Sequence, residues 1–212
     1  MLAVASQVFA ERGFAAATMR EIAAGAGLHP SSLYYYFRSK EEMLEAIVIE
    51  ANRISLDHLA AVEAVGGAAP VAVRLYRIVH FDVRVLCELP YDIGEVLRMA
   101  ALREARFTQY WQDRRQLHDG VEQLIAVGIA DGSLRAVDPC LASLTLLSND
   151  EAVRNWFRRD EIDPGRYDAA GVATFLADHA LAGLLTDRRK LDRVRNMALA
   201  AEELHATAPT DR

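Results

Sequence analysis

Hydroxyl, phenol and basic side chains are concentrated between Thr18 and Glu42 of this 212-residue chain. Side chains of these kinds commonly hydrogen-bond to DNA phosphates and to the edges of bases. They are Arg20, Ser31, Ser32, Tyr34, Tyr35, Tyr36, Arg38 and Lys40. The alternative is an ordinary helical hairpin that carries tyrosines on its surface.

Two helix starts and one turn must position these side chains. Thr18 and Glu21 have the spacing of a capping box, in which a hydroxyl and a carboxylate each satisfy a backbone N–H, and the same spacing recurs from Ser39. Between the two boxes, the segment Gly25–Gly27 ends one helix and Pro30 suits the first turn of the next. The pattern predicts a short helix, a glycine turn and a second short helix, which is the layout of a helix-turn-helix.

The second of these helices has a face that a small core would not select. Successive residues turn by about 100° around a helix, so Leu33 and Phe37 share one side and can pack inward. By the same geometry Tyr34, Tyr35 and Tyr36 together span about 200°. At least one tyrosine should therefore face water or a binding partner.

Residues 2 to 45 resemble the DNA-binding domain of the TetR family of bacterial transcriptional regulators. The matching positions are Phe9, Glu11 to Phe14, Thr18 to Ala23, Ala26 to Leu28, Leu33, Tyr34, Phe37 and Ser39 to Glu41. Because many positions match at fixed spacing, the resemblance is specific. It implies a DNA-binding regulator whose second short helix is the recognition helix.

The resemblance also implies a role for individual side chains. Arg20 would reach a base or a phosphate, and Pro30 and Ser31 would meet base edges. The residues that would grip the DNA backbone are Ser32, Tyr34, Tyr35, Tyr36 and, at a phosphate, Lys40. His29 departs from the pattern, because the family more often has serine at this helix cap. We therefore expect the start of the recognition helix to be held less firmly.

Overall charge does not by itself indicate a nucleic-acid partner. Residues 1–45 carry four basic side chains against five acidic ones, and the net charge of the chain is −6. Specific contacts come from a few positioned groups rather than from the sum of charges. We therefore expect DNA binding to be modest outside a specific site.

The rest of the chain has the pattern of an all-α protein. We expect a helix-turn-helix DNA-binding domain at 1–45, a larger helical effector-binding and dimerisation domain at 46–206, and a frayed tail at 207–212. Proline, glycine and aspartate signals delimit the helices of the larger domain. These helices are expected at 39–65, 70–89, 91–101, 104–130, 139–159, 167–185 and from 188 onwards.

The larger domain resembles, more weakly, the C-terminal domain of the same family, which typically binds a small molecule and forms a homodimer. The resemblance implies that helices 139–159 and 167–185 of two subunits pair into a four-helix bundle. Apolar residues lie around much of the circumference of both helices, as suits burial from two sides. They include Leu141, Leu144, Leu147, Trp156, Phe175, Leu176, Leu181 and Leu184. The alternative is that both helices are buried inside a monomer.

Candidate effector contacts are aromatic and polar residues of the helices between 70 and 130, since an apolar pocket needs both kinds. They are Tyr76, His80, Arg84, Phe107, Tyr110 and Trp111. For any single one of these residues, a place in the core is the simpler interpretation. His80, Arg84 and Cys87 share one helix face, but no further metal ligand is indicated, so we expect neither a metal nor a cofactor.

Other functional classes find less support. Apolar runs are interrupted well short of 18 residues, which argues against a membrane span, and the two cysteines, Cys87 and Cys140, lack a spacing pattern. We therefore expect both cysteines to be reduced, which indicates a cytoplasmic protein. No nucleophile elbow, zinc-protease pair or phosphate loop is present. We therefore expect a ligand-responsive repressor that is not an enzyme and binds a palindromic operator as a homodimer. The alternative is an all-helical ligand-binding protein or enzyme without specific DNA binding.

Overall fold

The computed structural model describes residues 1–64, 69–89, 105–157 and 165–207. This part of the chain contains nine α-helices and no strand, only an isolated β-bridge between Leu134 and Leu185. The helices are α1 (Leu2–Arg12), α2 (Met19–Gly25), α3 (Pro30–Tyr36), α4 (Lys40–Ala64), α5 (Val71–Glu88), α6 (Thr108–Ala130), α7 (Pro139–Ala152), α8 (Ala169–Leu184) and α9 (Leu191–Thr207). The predicted all-α class is confirmed. No helix among the described residues is both long enough and apolar enough to cross a membrane.

The chain forms two compact units. The first comprises Met1–Ile54 and Glu88–Arg115, and the second comprises Ser55–Cys87 and Gln116–Arg212. The division therefore falls within α4 and within α6. Each unit has its own apolar cluster, one gathered from α1 to α4 with Phe107 and Tyr110, the other from α4 to α9. The predicted domain boundary at residues 45 and 46 stays a prediction.

The predicted helix-turn-helix is formed by α2 and α3, and its first capping box is complete. The Thr18 hydroxyl accepts a hydrogen bond from the Glu21 N–H at 3.2 Å, and the Glu21 carboxylate accepts one from the Thr18 N–H at 3.0 Å. The second box is only half formed. The Ser39 hydroxyl accepts from the Glu42 N–H at 3.2 Å, whereas the Glu42 carboxylate accepts from the N–H of Arg38.

A glycine in the left-handed region makes the turn between α2 and α3. Gly27 has φ +67°, and its N–H donates to the Ala24 carbonyl at 3.1 Å. The N–H of Leu28 donates to the Ala23 carbonyl at 2.9 Å. These two bonds are those of a Schellman motif, which satisfies the last carbonyls of a helix while the chain reverses direction.

In the second unit a glycine brings two helices close together. A Cβ atom added at Gly120 of α6 would lie 2.6 Å from Cδ2 of Leu59 in α4. Aspartates cap the two helices that follow: Asp138 accepts from the Leu141 N–H at 2.8 Å, and Asp168 accepts from the Gly171 N–H at 2.7 Å. The predicted starts of α7 and α8 are thereby confirmed to within two residues.

Two predicted helix boundaries need correction. The helix from Pro139 does not run to Arg159, since α7 ends at Ala152 and a 3₁₀ turn follows at Val153–Asn155. The tighter turn allows both Val153 and Phe157 to join the apolar cluster of the second unit. Helix α6 is likewise preceded by a 3₁₀ turn, Ala105–Phe107, where a continuous helix from residue 104 was expected. The predicted helix at 91–101 and most of the predicted tail, 208–212, lie outside the described residues.

We predict that Gly27→Ala destabilises the protein by about 1–2 kcal/mol, because an L-residue with a Cβ is strained in the left-handed conformation. No atom lies within 4 Å of the added Cβ, so backbone strain alone is tested. Gly27→Asn is the matched control, since asparagine tolerates this conformation. Urea denaturation measures both variants. Equal losses in both would show that the sign of φ is not the cause.

Candidate DNA-binding surface and polar core

Helix α3 is anchored by one buried side chain and exposes most of the others. Leu33 is completely buried, while Tyr34, Tyr35 and Tyr36 are 52%, 83% and 59% exposed. Ser31 and Ser32 are exposed as well, and Pro30 is half-buried. The sequence argument required at least one tyrosine to face outwards, and all three do. The helix therefore presents a continuous surface of hydroxyl and phenol groups.

The start of α3 is capped by the histidine that departs from the family pattern. Nδ1 of His29 lies 2.8 Å from the Ser31 hydroxyl and 3.4 Å from the Ser31 backbone nitrogen, whose N–H it accepts. The imidazole thus takes the role that a serine hydroxyl would have. Pro30 follows at the first helical position, where no N–H is needed.

Two basic residues of the predicted site have different surroundings. Arg20 is exposed on the first turn of α2. Lys40 is half-buried, and its ammonium group donates to the backbone carbonyls of Phe14, Ala15 and Ala17 at 2.6, 2.9 and 3.1 Å. An ammonium group has three N–H donors, so these carbonyls can occupy all of them. The nitrogen also lies 4.8 Å from the centre of the Phe14 ring. Lys40 therefore holds the loop between α1 and α2, and its predicted phosphate contact stays a prediction.

Half of the predicted effector set lies in the second unit, on one side of α5. These residues are Tyr76, His80 and Arg84. The Tyr76 hydroxyl donates to Asp178 of α8 at 3.1 Å. Nδ1 of His80 lies 3.1 Å from the carboxylate of Glu202 in α9, and Arg84 approaches the same carboxylate at 3.9 Å. These contacts connect α5 to α8 and to α9.

Burial and partners determine the charge states of this polar core. Burial, and then the Asp178 carboxylate, raise the pKa of the Tyr76 phenol above its usual range, so it remains a donor. Burial alone would raise the pKa of Glu202, but the hydrogen bond from His80, followed by the charges of His80 and Arg84, lowers it overall. Glu202 is therefore an anion that binds two groups of α5.

Sequence reasoning missed the partners of this network. Asp178, Arg195 and Glu202 carry no local motif, and Tyr76 and His80 are separated from their partners by 102 and 122 residues. Arg195 binds Asp178 and Asp192, and so extends the network along α9. In the described part of the chain, no group of three or more His, Cys, Asp or Glu residues could hold a metal ion.

The other half of the predicted effector set lies in the first unit. Phe107 is completely buried and Tyr110 is 3% exposed, both within the apolar cluster of α1 to α4. The Tyr110 carbonyl accepts a hydrogen bond from the Asn52 side chain at 3.0 Å. Trp111 is 49% exposed. The structure therefore assigns the two halves of the set to different units and different clusters.

A groove is lined by residues of α7 and α8, among them Leu141 and Leu144, and Phe175 of α8 is an exposed apolar residue as well. Leu141, Leu144 and Phe175 are 65%, 46% and 68% exposed, although Leu147 and Leu181 of the same two helices are buried. The groove is also lined by small residues, namely Ala142, Ala180 and Gly183. Both helices are thus apolar on an inner and on an outer face, as the sequence pattern predicted.

Comparison with known families and structures agrees with this architecture. The family model described as "Bacterial regulatory proteins, tetR family" matches residues 1–47. The model described as "Tetracyclin repressor-like, C-terminal domain" matches residues 68–184, more than half of the chain.

Curated relatives include the HTH-type transcriptional repressor KstR2. The protein from Mycobacterium tuberculosis (strain H37Rv) is 50% identical over 48 residues, a match that covers 23% of this chain and 24% of that protein. KstR2 from Rhodococcus jostii (strain RHA1) is 29% identical over 170 residues, covering 74% of this chain and 78% of that one. This chain therefore aligns with about a quarter of the length of the first relative.

Solved structures share the fold over nearly the whole chain. AmtR of Mycobacterium smegmatis superposes with a TM-score of 0.75 at 23% identity, covering 94% of this chain and 92% of that one. A complex of AibR with isovaleryl coenzyme A and operator DNA has a TM-score of 0.69 at 21% identity, covering 87% and 95%. At these identities the likeness concerns the fold alone.

We predict that Lys40→Met lowers the free energy of unfolding by about 1–3 kcal/mol, because three carbonyls lose a charged donor. Chemical denaturation measures the loss. Lys190→Met is the matched control, since Lys190 is the other lysine of the chain and is exposed. If stability were unchanged, but operator binding weakened and its salt dependence flattened by about one unit per subunit, Lys40 would instead act on a phosphate.

Proposed function

Because this chain belongs to the TetR family of bacterial transcriptional regulators, we propose that it is a ligand-responsive repressor. It binds a palindromic operator as a homodimer, and a small-molecule effector releases it. The curated relatives named above are transcriptional repressors. The observation that carries the proposal is α3, which buries Leu33 and turns its hydroxyl and phenol groups outwards.

Recognition by α3 follows from the dimensions of DNA. The major groove admits an α-helix, and side chains at the start of the helix can reach base edges there. Pro30 and Ser31 occupy that start, with Arg20 on the preceding helix as a further contact. The residues that hold the DNA backbone are Ser32, Tyr34, Tyr35 and Tyr36, with Lys40 at a phosphate or as the support of the loop before α2. Five hydroxyl groups distributed around α3 suit binding to both walls of the groove.

The groove on α7 and α8 supports a homodimer. Exposed leucine and phenylalanine side chains would be buried against the same face of a second copy, as a two-fold interface requires. Pairing these helices gives a four-helix bundle, with α7 taken to residue 152 rather than 159. A dimer is also needed for function, because two recognition helices must reach successive major grooves about 34 Å apart.

The effector acts in the second unit, where Tyr76, His80 and Arg84 line the polar core. A ligand shifts a conformational equilibrium only by its difference in affinity for the two states, typically about 1–3 kcal/mol. The released state is one in which the two recognition helices no longer match the spacing of the grooves. Phe107, Tyr110 and Trp111 remain predicted effector contacts, although their place in the first unit favours a packing role.

We assign the protein to the cytoplasm and expect it to have no catalytic activity.

The first experiment is a fluorescence anisotropy titration of the protein against its own upstream intergenic DNA and a scrambled duplex, at about physiological salt. Selective binding supports the proposal, because the ratio of specific to non-specific affinity matters more than the affinity itself. A folded dimer that binds several candidate promoters without selectivity would favour a ligand-binding or catalytic protein instead.

We predict that Tyr34→Phe weakens operator binding about tenfold, since one hydrogen bond to a charged phosphate is lost without a change in shape. Tyr167→Phe is the matched control, because Tyr167 is exposed to a similar extent, 49% against 52%, but lies before α8. Anisotropy measures both variants beside wild type, and unfolding confirms that the fold is unchanged. An affinity equal to that of wild type would remove Tyr34 from the site.

We predict that Phe175→Glu converts the dimer into a monomer, because pairing of α7 and α8 would bury an unpaired carboxylate from each copy. Val127→Glu is the control, since Val127 is an exposed apolar residue, 44%, on α6 rather than on α7 or α8. Sedimentation velocity distinguishes the two states. A dimer that survives Phe175→Glu would place the interface elsewhere.

A further inference from the structure

One face of α5 carries two arginines on either side of an aromatic pair. Arg77, Phe81 and Arg84 are spaced i, i+4 and i+7, so they follow one another along the same side of the helix. His58 of α4 stacks flat on Phe81, with ring centres 3.7 Å apart and planes 9° from parallel. The Arg84 guanidinium carbon lies 6.0 Å from the centre of the same ring. We call Arg77, Phe81, Arg84 and His58 the arginine face.

Arg77 is buried without a counterion. Only 3% of the residue is exposed, and its Nε, which carries a proton, has no acceptor in the described part of the chain. No salt bridge of Arg77 occurs among the described residues. A buried guanidinium group without a carboxylate partner is costly, because the lost hydration is not replaced. Such a group is expected where a bound anion supplies the missing charge.

The neighbouring groups, among the described residues, do not supply a partner for the Nε of either arginine. Glu202 is the carboxylate beside Arg84, at 3.9 Å, and it is shared with His80. Nε of Arg84 and Nε2 of His58 are also buried without a hydrogen-bond partner. Burial, and then the charge of Arg77, lower the pKa of His58 to about 4, so this ring is neutral near pH 7. Glu202 is thus the carboxylate within 4 Å of Arg84, while the buried Asp82 of the same helix accepts a hydrogen bond from the Ser55 hydroxyl.

We infer that the arginine face binds the carboxylate of a monoanionic effector whose remaining body is apolar. Arginine binds carboxylates through paired N–H groups, and the Nε–H that belongs to such a pair is left unsatisfied by the described residues in both Arg77 and Arg84. Because Glu202 already lies beside Arg84, a monocarboxylate suits the site better than a phosphate dianion. The two helices that carry the arginine face also contribute Leu59, Val62 and Val73 to the apolar cluster of the second unit, which suits an aliphatic or aromatic body. Arg84, whose side chain is 37% exposed, lies where the ligand would enter. The inference rests on the proposed function and specifies the effector class of its second unit.

Thermal unfolding with octanoate as the probe tests the site without DNA. Octanoate at about 100 times its Kd should raise the Tm of wild type by roughly 5–10 °C. At the same concentration, 1-octanol and octylamine should leave Tm nearly unchanged, because neither brings a negative charge. A wild-type protein that octanoate does not stabilise overturns the inference. Stronger stabilisation by octyl phosphate would also overturn it, in favour of a phosphate ligand.

Variants of the two arginines locate the effect. Arg77→Met removes the buried charge at similar volume, so it should raise the Tm of the ligand-free protein by at least about 2 °C and abolish the response to octanoate. A structural arginine would behave oppositely, with a lower Tm and an unchanged response. Arg84→Gln, at the more exposed position, should also lose the response, and it provides the test should Arg77→Met fail to fold. Arg189→Gln, an arginine that is 91% exposed, should respond as wild type does.

Operator binding is measured separately, so that the two proposals can fail independently. Arg77→Met should bind the operator as wild type does, but octanoate should no longer release it. If octanoate stabilises the protein but the protein binds no DNA selectively, the proposed carboxylate site is supported and the proposed regulatory function is refuted. If the protein binds DNA selectively but octanoate does not change that binding, the proposed DNA-binding function stands and the assigned effector class is overturned.

Discussion

A helix of seven residues is not stable by itself, and the proposed DNA-binding surface depends on how α3 is held in place. It has one fully buried side chain, Leu33, and its ends are fixed by the His29 cap and by the Schellman turn at Gly27. Because so little of α3 is needed for packing, most of its circumference remains available for contacts outside the protein. The tyrosines can thus be exposed because the turn and the caps, rather than their side chains, hold the helix in place.

The same unit relies on a contact between segments that are distant in sequence. Lys40, at the first turn of α4, binds three carbonyls of the loop between α1 and α2. Those carbonyls have no helical partner, so a single ammonium group replaces three hydrogen bonds that water would otherwise make. The loop leads directly into the capping box of α2, which places Arg20. One side chain therefore connects the start of α4 to the position of the helix-turn-helix.

The second unit is built around polar groups inside an apolar cluster. Tyr76 with Asp178, and His80 with Glu202, connect α5 to α8 and α9 through buried or half-buried hydrogen bonds. A buried polar group is tolerated when it is paired, and several buried atoms in the described part of this unit lack a hydrogen-bond partner, among them Nε of Arg77 and an oxygen of Asp150. A core in which a buried cation lacks an acceptor can be stable without a ligand and still respond to one. This property suits a sensor domain better than a purely structural bundle.

The sequence by itself determined the local features. Thr18, Gly27, Pro30 and Asp138 act through hydrogen bonds or dihedral angles within a few residues, so their effects could be predicted from spacing. The tertiary structure decided everything that depends on contacts across long separations. It gave Lys40 its carbonyl partners, placed Phe107 and Tyr110 in the first unit rather than beside Tyr76, and brought Glu202 to His80. A single sequence records which groups are polar or apolar, but not which of many similar groups will meet. That choice is made by the packing of whole helices, where burial of the entire cluster outweighs the preference of any one pair.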